Sequence, residues 1–110
     1  MYGDGTSRRD YTYIDDITSG VLASLELETS NFEIINLGES RSVALRELVT
    51  LLERALGKRA TIDYQPAQAG DVPVTYANIT KAKSLLGYHP RIQIEEGIER
   101  FVKWFKQQPG

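Results

Sequence analysis

Polar and apolar positions alternate from residue 9 around Tyr11 and Tyr13, a period of two that predicts a strand over 9–14. The period then changes. Ile17, Val21, Leu22 and Leu25 fall at helical spacing behind Asp15 and Asp16, either of which can cap the helix. Thr29-Ser30-Asn31 breaks that pattern, and the apolar run at 32–37, closed by Gly38, predicts a second strand. Ser42 is placed to cap a central helix carrying Leu45, Leu48, Val49, Leu52 and Leu56, with Gly57 where a left-handed C-cap belongs. A third short strand follows over 60–64, and 65–74, with two prolines and a glycine, reads as a loop. Asn78 caps a brief helix over 79–86 that Gly87 ends, and His89-Pro90 forces an extended turn. The last helix, over 95–107, has the stripe Ile94, Ile98, Phe101, Val102 and Phe105. Strands and helices alternate, so the fold class is α/β.

Composition narrows the function classes. At 110 residues the chain fits one domain, and such a chain buries roughly two-thirds of its unfolded surface. Thirteen basic and fifteen acidic side chains leave a net charge of −2, which offers no footprint for nucleic acid or an anionic membrane. There are no cysteines and one histidine, so thiolate sites and a cysteine nucleophile are excluded and little is left for zinc. No apolar run approaches the ~20 residues of a membrane span, and no signal peptide opens the chain. The default compartment is the cytoplasm.

Five segments carry a family signature in order. They are Gly3-Asp4-Gly5 leading into Arg9-Asp10-Tyr11-Thr12-Tyr13-Ile14-Asp15-Asp16, then Ile35-Asn36-Leu37-Gly38, then Ala69-Gly70-Asp71-Val72-Pro73-Val74-Thr75-Tyr76-Ala77-Asn78. Leu85-Leu86-Gly87-Tyr88 before Pro90, and Ile94-Glu95-Glu96-Gly97-Ile98, complete the set. Together they resemble the nucleotide-sugar epimerases and dehydratases of the extended short-chain dehydrogenase/reductase family, and most of all its UDP-glucuronate 4-epimerase branch. Gln68, where UDP-galactose epimerases usually carry arginine, favours the branch whose substrate already brings a carboxylate.

The resemblance implies a C-terminal portion of that fold. About 1–57 would supply late strand and helix elements of the nucleotide-binding sheet, and about 58–110 the small substrate-binding domain, with the N-terminal NAD-binding part absent. It also implies a UDP-sugar as the bound partner. Arg9 matches the arginine that holds the pyrophosphate, for which its planar fork is suited. Asp71 matches the aspartate that accepts from the ribose hydroxyls, and Gln68 would stand near the phosphates. Tyr11, two residues beyond Arg9 on the same strand face, would hydrogen-bond the phosphate or pack beside it, and Tyr2 would lie beside the uracil. Plainer roles stand next to these. Arg9 can pair with Asp10 on the surface, Tyr11 can be core, and Asp71 can simply shape a turn. His89 reads as a turn residue, and Trp104 as helix packing.

Two parts of the family's machinery have no counterpart in these residues. No Gly-x-x-Gly-x-x-Gly turn occurs, and no tyrosine is followed four residues later by lysine. The expectation is therefore a UDP-sugar-binding part with no turnover alone. NAD belongs to the implied full-length enzyme, and none is expected on this chain. A related dehydratase or decarboxylase, or a non-catalytic interaction module on the same fold, is the alternative. Edges and apolar faces that the rest of such an enzyme covers would be exposed here, and self-association through them is expected.

Overall fold

Helices dominate because their spacing signals are complete within the chain, whereas a strand needs a neighbour. The computed structural model describes residues 1–28 and 32–109, so the breaker Thr29-Ser30-Asn31 lies outside the described residues. In chain order the elements are β1 Arg8–Arg9, α1 Ile14–Ser24, β2 Val43–Ala44, α2 Leu45–Leu56, α3 Thr80–Leu86 and α4 Ile94–Lys106. β1 and β2 run antiparallel, pairing Arg8 with Ala44 and Arg9 with Val43. Single parallel bridges join Tyr2 to Gln65 and Arg8 to Val74. α2 packs on α4, and α1 on α3.

The central helix ends as its residues require. Gly57 takes φ 66° and its N–H returns to the Glu53 carbonyl, and Gly87 closes α3 the same way at φ 64°. Three caps differ from expectation. Tyr13 is the N-cap of α1 and Ala44 that of α2, neither with a side-chain bond. Asp16 lies inside the first turn of α1, where its carboxylate accepts from the N–H groups of Arg91 and Ile92 at 2.9 Å each. Ser42 instead receives Arg8 Nε on its hydroxyl at 3.0 Å. Asn78 does accept the Thr80 N–H at 3.1 Å, one residue outside the N-cap Ile79.

Predicted strands shrink or lose their ladders. The strand expected over 9–14 is only Arg8–Arg9, and the Ser42 carbonyl accepts from Arg8 Nη2 at 2.8 Å. Over 32–37 and 60–64 no strand forms within the described residues. The alternation at 32–37 still sorts faces correctly. Ile35 and Leu37 pack on the core of Ile79, Ala82 and Tyr88, while Ile34 points outward. Hydrophobic pattern specifies a face, but hydrogen-bond partners come from elsewhere.

The apolar stripe read on α1 is likewise on the wrong side. Val21, Leu22 and Leu25 are exposed, and the helix buries the side of Asp16 and Gly20. Gly20 makes this possible, since a Cβ there would stand 2.7 Å from the methyl carbons of Leu37. The resulting body is a slab of 50 × 37 × 21 Å with a radius of gyration of 16.6 Å, against about 13 Å for a rounded domain of this length.

Gly38 sits at an equally tight approach. A Cβ there would meet the Cβ of Ala77 at 2.7 Å and Asp10 Oδ2 at 2.8 Å, atoms with little room to yield. Gly38→Ala is expected to destabilise the chain by about 1–3 kcal/mol, read as a lower urea midpoint at constant slope. An unchanged midpoint would show that 38 and 77 are not clasped in this way.

Candidate functional site

The N-terminal turn is built for close approach. Gly3 and Gly5 hold φ 78° and 84°, conformations that side-chain-bearing residues seldom adopt. Between them Asp4 accepts from Thr6 twice, from its N–H at 3.0 Å and its hydroxyl at 2.5 Å. Those bonds hold the Asp4 carboxyl below its ordinary value. The carbonyls of Gly5 and Ser7 accept the first N–H groups of α2, from Arg46 and Leu45, at 2.9 Å each. The turn therefore rides on the start of the central helix.

The 65–75 loop is laid against this turn by backbone bonds. Gly3 N–H donates to Gln65 O at 2.8 Å and Gln65 N–H to Met1 O at 2.7 Å. Further along, Arg8 N–H donates to Pro73 O at 2.8 Å and Thr75 N–H to Arg8 O at 3.0 Å. Within the loop, Gly70 at φ 81° allows Asp71 N–H to reach Gln68 O at 3.2 Å. Between turn and loop lies a cleft of about 200 Å³ lined by Tyr2, Gly3, Gln68 and Asp71 among others.

Arg9 reaches that cleft through one of its lining residues, Asp71. Its Nη2 donates to Asp71 Oδ1 at 2.6 Å and its Nη1 to the Arg8 carbonyl at 2.7 Å. The surface partner anticipated for Arg9 was Asp10, but Asp10 faces the opposite way and Asp71 takes its place. Three of the five expected site residues, Tyr2, Gln68 and Asp71, thus line one cleft, and Arg9 joins them through its bond to Asp71. Tyr11 does not line it. It lines a separate apolar cleft of about 370 Å³ with Tyr13, Leu48, Ile98 and Phe101. Burial raises the Tyr11 hydroxyl above its ordinary value, and the nearby Arg9 charge opposes this.

Three acidic residues away from the cleft, Asp10, Asp16 and Glu39, organise the fold, and the sequence reading gave none of them that role. Asp10 accepts the N–H groups of Glu39 at 3.0 Å, Ser40 at 2.9 Å and Ala77 at 3.1 Å. Ser40 needs this support, being at φ 59° without the freedom of glycine. Asp16 is buried; burial works to raise its carboxyl, but bonds involving Glu39, Arg91 and Ile92 and the Arg100 charge outweigh it, so it stays ionised. Glu39 goes the other way. Burial, then Asp16 as bonding partner and charge, then the Asp10 charge push it up to about 8, with only Arg41 opposing. Glu39 Oε1 is buried and receives no hydrogen bond. Protonated, that oxygen becomes a donor beside the Asp16 acceptor. The only signal for Asp10 and Asp16 lay in their carboxylates, which a sequence reader assigns to caps and salt bridges.

Among the described residues, no group of three His, Cys, Asp or Glu side chains is arranged to hold a metal. No helix is long and apolar enough to cross a membrane.

Known proteins share this architecture. A family model described as GDP-mannose 4,6 dehydratase matches residues 1–101. The UDP-glucuronate 4-epimerase of Thermodesulfobacterium geofontis is 46% identical over 108 residues, covering 97% of this chain and 33% of its own length. UDP-glucuronate 4-epimerase 5 of Arabidopsis thaliana is 40% identical over 92% of this chain and 26% of its own. Among solved structures, the Bacillus cereus UDP-glucuronic acid 4-epimerase in complex with UDP-glucuronic acid and NAD superposes with a TM-score of 0.87 at 37% identity, over 97% of this chain and 34% of that one. The Thermotoga maritima UDP-glucose 4-epimerase with UDP-glucose gives 0.88 at 34% identity over the same shares. The chain spans about a third of the length of these relatives.

The carboxyl pair sets a pH dependence. Glu39 titrates at 4.5 when free and at about 8 in the fold. Its contribution to stability is fully present below 4.5 and is lost as pH rises through about 8. Wild-type unfolding midpoints are expected to fall across that window, while Glu39→Gln, which has no proton to lose, stays nearly flat. Parallel wild-type and variant curves would refute the buried proton.

Proposed function

Starting from a chain that belongs to the GDP-mannose 4,6 dehydratase family, we propose that it forms the UDP-sugar-binding part of a nucleotide-sugar 4-epimerase of the UDP-glucuronate type. The observation that carries this is the pairing of Arg9 with Asp71, which lines a cleft together with Gly3 and Gly5. A pyrophosphate brings about two negative charges, and a bare aspartate beside it would repel them. Arg9 neutralises Asp71 while its fork, which has five N–H donors in all, retains others for phosphate oxygens. Asp71 is then free to accept from ribose hydroxyls, and Gln68, uncharged, lies one turn away toward the phosphates. Tyr2, half exposed at the cleft edge, offers a face to the uracil. Tyr11 stands apart in its own cleft, near enough to Arg9 to feel its charge.

The UDP-glucuronic acid and NAD in the Bacillus cereus complex support the substrate class, at 37% identity. NAD itself fits these residues poorly. A dinucleotide pyrophosphate calls for a glycine turn that opens onto a helix N-terminus, whereas Gly3 and Gly5 lead into β1. No step of this chain's own chemistry passes through it. The chain binds and orients the nucleotide end of the substrate, and epimerisation requires groups outside these residues.

An amide NMR titration with UDP and then UDP-glucuronic acid tests this reading. Saturable shifts are expected in 3–9 and 68–73, and Arg9→Ala should weaken binding about tenfold, or about 1.4 kcal/mol. With NAD supplied, the pure chain should convert no UDP-glucuronic acid. Absent shifts at millimolar ligand, or shifts indifferent to Arg9→Ala, would overturn the assignment.

A further inference from the structure

Elements from across the chain meet at the 38–41 turn. From the end of β1, Asp10 accepts the Glu39 N–H on Oδ1 and the Ser40 N–H on Oδ2. From beyond α3, the Tyr88 hydroxyl donates to the Gly38 carbonyl at 2.8 Å. From the entrance to α4, Gln93 and Glu95 accept from Arg41 at 2.9 and 2.8 Å, and Gln93 Nε2 lies 3.5 Å from Glu39 Oε2. From α1 comes Asp16, only 4% exposed, which bonds with the Glu39 carboxyl while its own oxygens accept from Arg91 and Ile92. The turn so held is strained, because Ser40 stands at φ 59° in the region that favours glycine.

Charge at this junction is unbalanced. Asp10 and Asp16 are already anionic acceptors, and both act on Glu39. Arg41 is the cation that opposes them, but its donors go to Gln93 and Glu95. Arg100, which acts on Asp16, is held by Glu96 at 2.9 Å and Asp15 at 3.5 Å. Tyr88 has given its proton to Gly38. Glu39 Oε1 is buried without a partner, so as a carboxylate it would have neither a donor nor an uncommitted cation where it stands.

We propose that the 38–41 turn is a proton-operated latch: the proton between Glu39 and Asp16 holds the turn against α1, and its loss to solvent sends the Glu39 side chain into water and frees the turn from Asp10 and Tyr88. The step breaks one O–H bond and changes no other covalent bond. Ser40 then leaves its left-handed conformation, and the relief of that strain favours the open turn. Ala77 shares Asp10 Oδ2 with Ser40, so the end of the 65–77 segment senses the opening. None of the latch groups lines the cleft of Tyr2, Gln68 and Asp71, so the latch stands whether or not that cleft takes a nucleotide.

Carbon-detected NMR of the labelled chain, from about pH 5 to about 9.5, tests this. The Glu39 carboxyl is expected to titrate near pH 8 rather than at 4.5. The Ser40 Cα and Cβ shifts, which report its backbone torsion, should leave their left-handed values with the same midpoint. The Gly38 and Ala77 carbonyls should move with them, while residues 51–56 of α2 stay in place. Glu39→Gln, which has no proton to lose, should abolish the step, and Glu39→Ala serves where the amide variant does not fold. Titration of Glu39 at its free value would overturn the proposal. So would a titration near pH 8 that leaves the Ser40 shifts unmoved, since Glu39 would then be a buried acid that operates nothing. A step shared by 51–56 would mean that the whole chain unfolds, and a step that persists without Glu39 would belong to another group; either result also rejects the latch.

Discussion

The Asp10 carboxylate is the constraint on which the rest depends. It sits next to Arg9 and accepts three backbone N–H groups, from Glu39, Ser40 and Ala77. A carboxylate in that setting makes charge-assisted bonds roughly twice as strong as neutral ones. It therefore draws the 38–40 turn and the far end of the 65–77 segment onto the first strand. Gly38 lets the backbones close, and Tyr88 completes the clasp by donating to the Gly38 carbonyl at 2.8 Å. Burial and the nearby carboxylates push the Tyr88 hydroxyl up to about 12, so it remains a donor throughout the physiological range. Adjacent residues thus divide the labour. Arg9 sends its charge to the cleft, and Asp10 sends its own to the scaffold that presents the cleft.

A second carboxylate repeats the device on the other side. Asp16 fastens the 91–92 segment to α1, and with it the start of α4. The Arg41–Glu95 pair reinforces that junction from the surface at 2.8 Å, although exposed pairs of this kind add little by themselves. Glu39 bonds with one anchor, Asp16, and keeps a proton first because burial disfavours its charge, and then because Asp16 and Asp10 are already charged beside it. Tertiary organisation here comes from buried acids bonded to backbone as much as from apolar contact. The core is correspondingly slight, with Ile79, Ala82 and Tyr88 at its centre.

What was legible in the sequence follows from this division. The spans of α2 and α4 could be read because helical periodicity and a C-cap such as Gly57 are local, whereas Ser42 does not cap α2 and Phe101 and Phe105 of the α4 stripe are exposed. The kinds and order of Tyr2, Gln68 and Asp71, which line one cleft, and of Arg9, which reaches it through Asp71, could be read because a motif fixes them. The strands over 32–37 and 60–64 could not, since a ladder needs a partner and periodicity names none. The stripe of α1 was misjudged because Val21, Leu22 and Leu25 look like core, while the packed side turns on Gly20, a residue with no side chain to count. Asp10 and Asp16 escaped notice as anchors because their partners are backbone groups 29 to 76 residues away, and no residue type advertises a backbone N–H.

The bonds joining the N-terminal turn to the 65–75 loop have a kinetic consequence. Arg9 and Asp71 are 62 residues apart in the chain, and so are Met1 and the Asp63 carbonyl it donates to. The cleft can form only after a loop spanning more than half the polypeptide has closed, a step whose entropy is paid before its contacts exist. Helices α2 and α4 can appear early by local contacts, but the nucleotide cleft is a late event in folding. During synthesis, residues 1–9 must wait for the loop to emerge, so this motif is made well before it reaches its final neighbours.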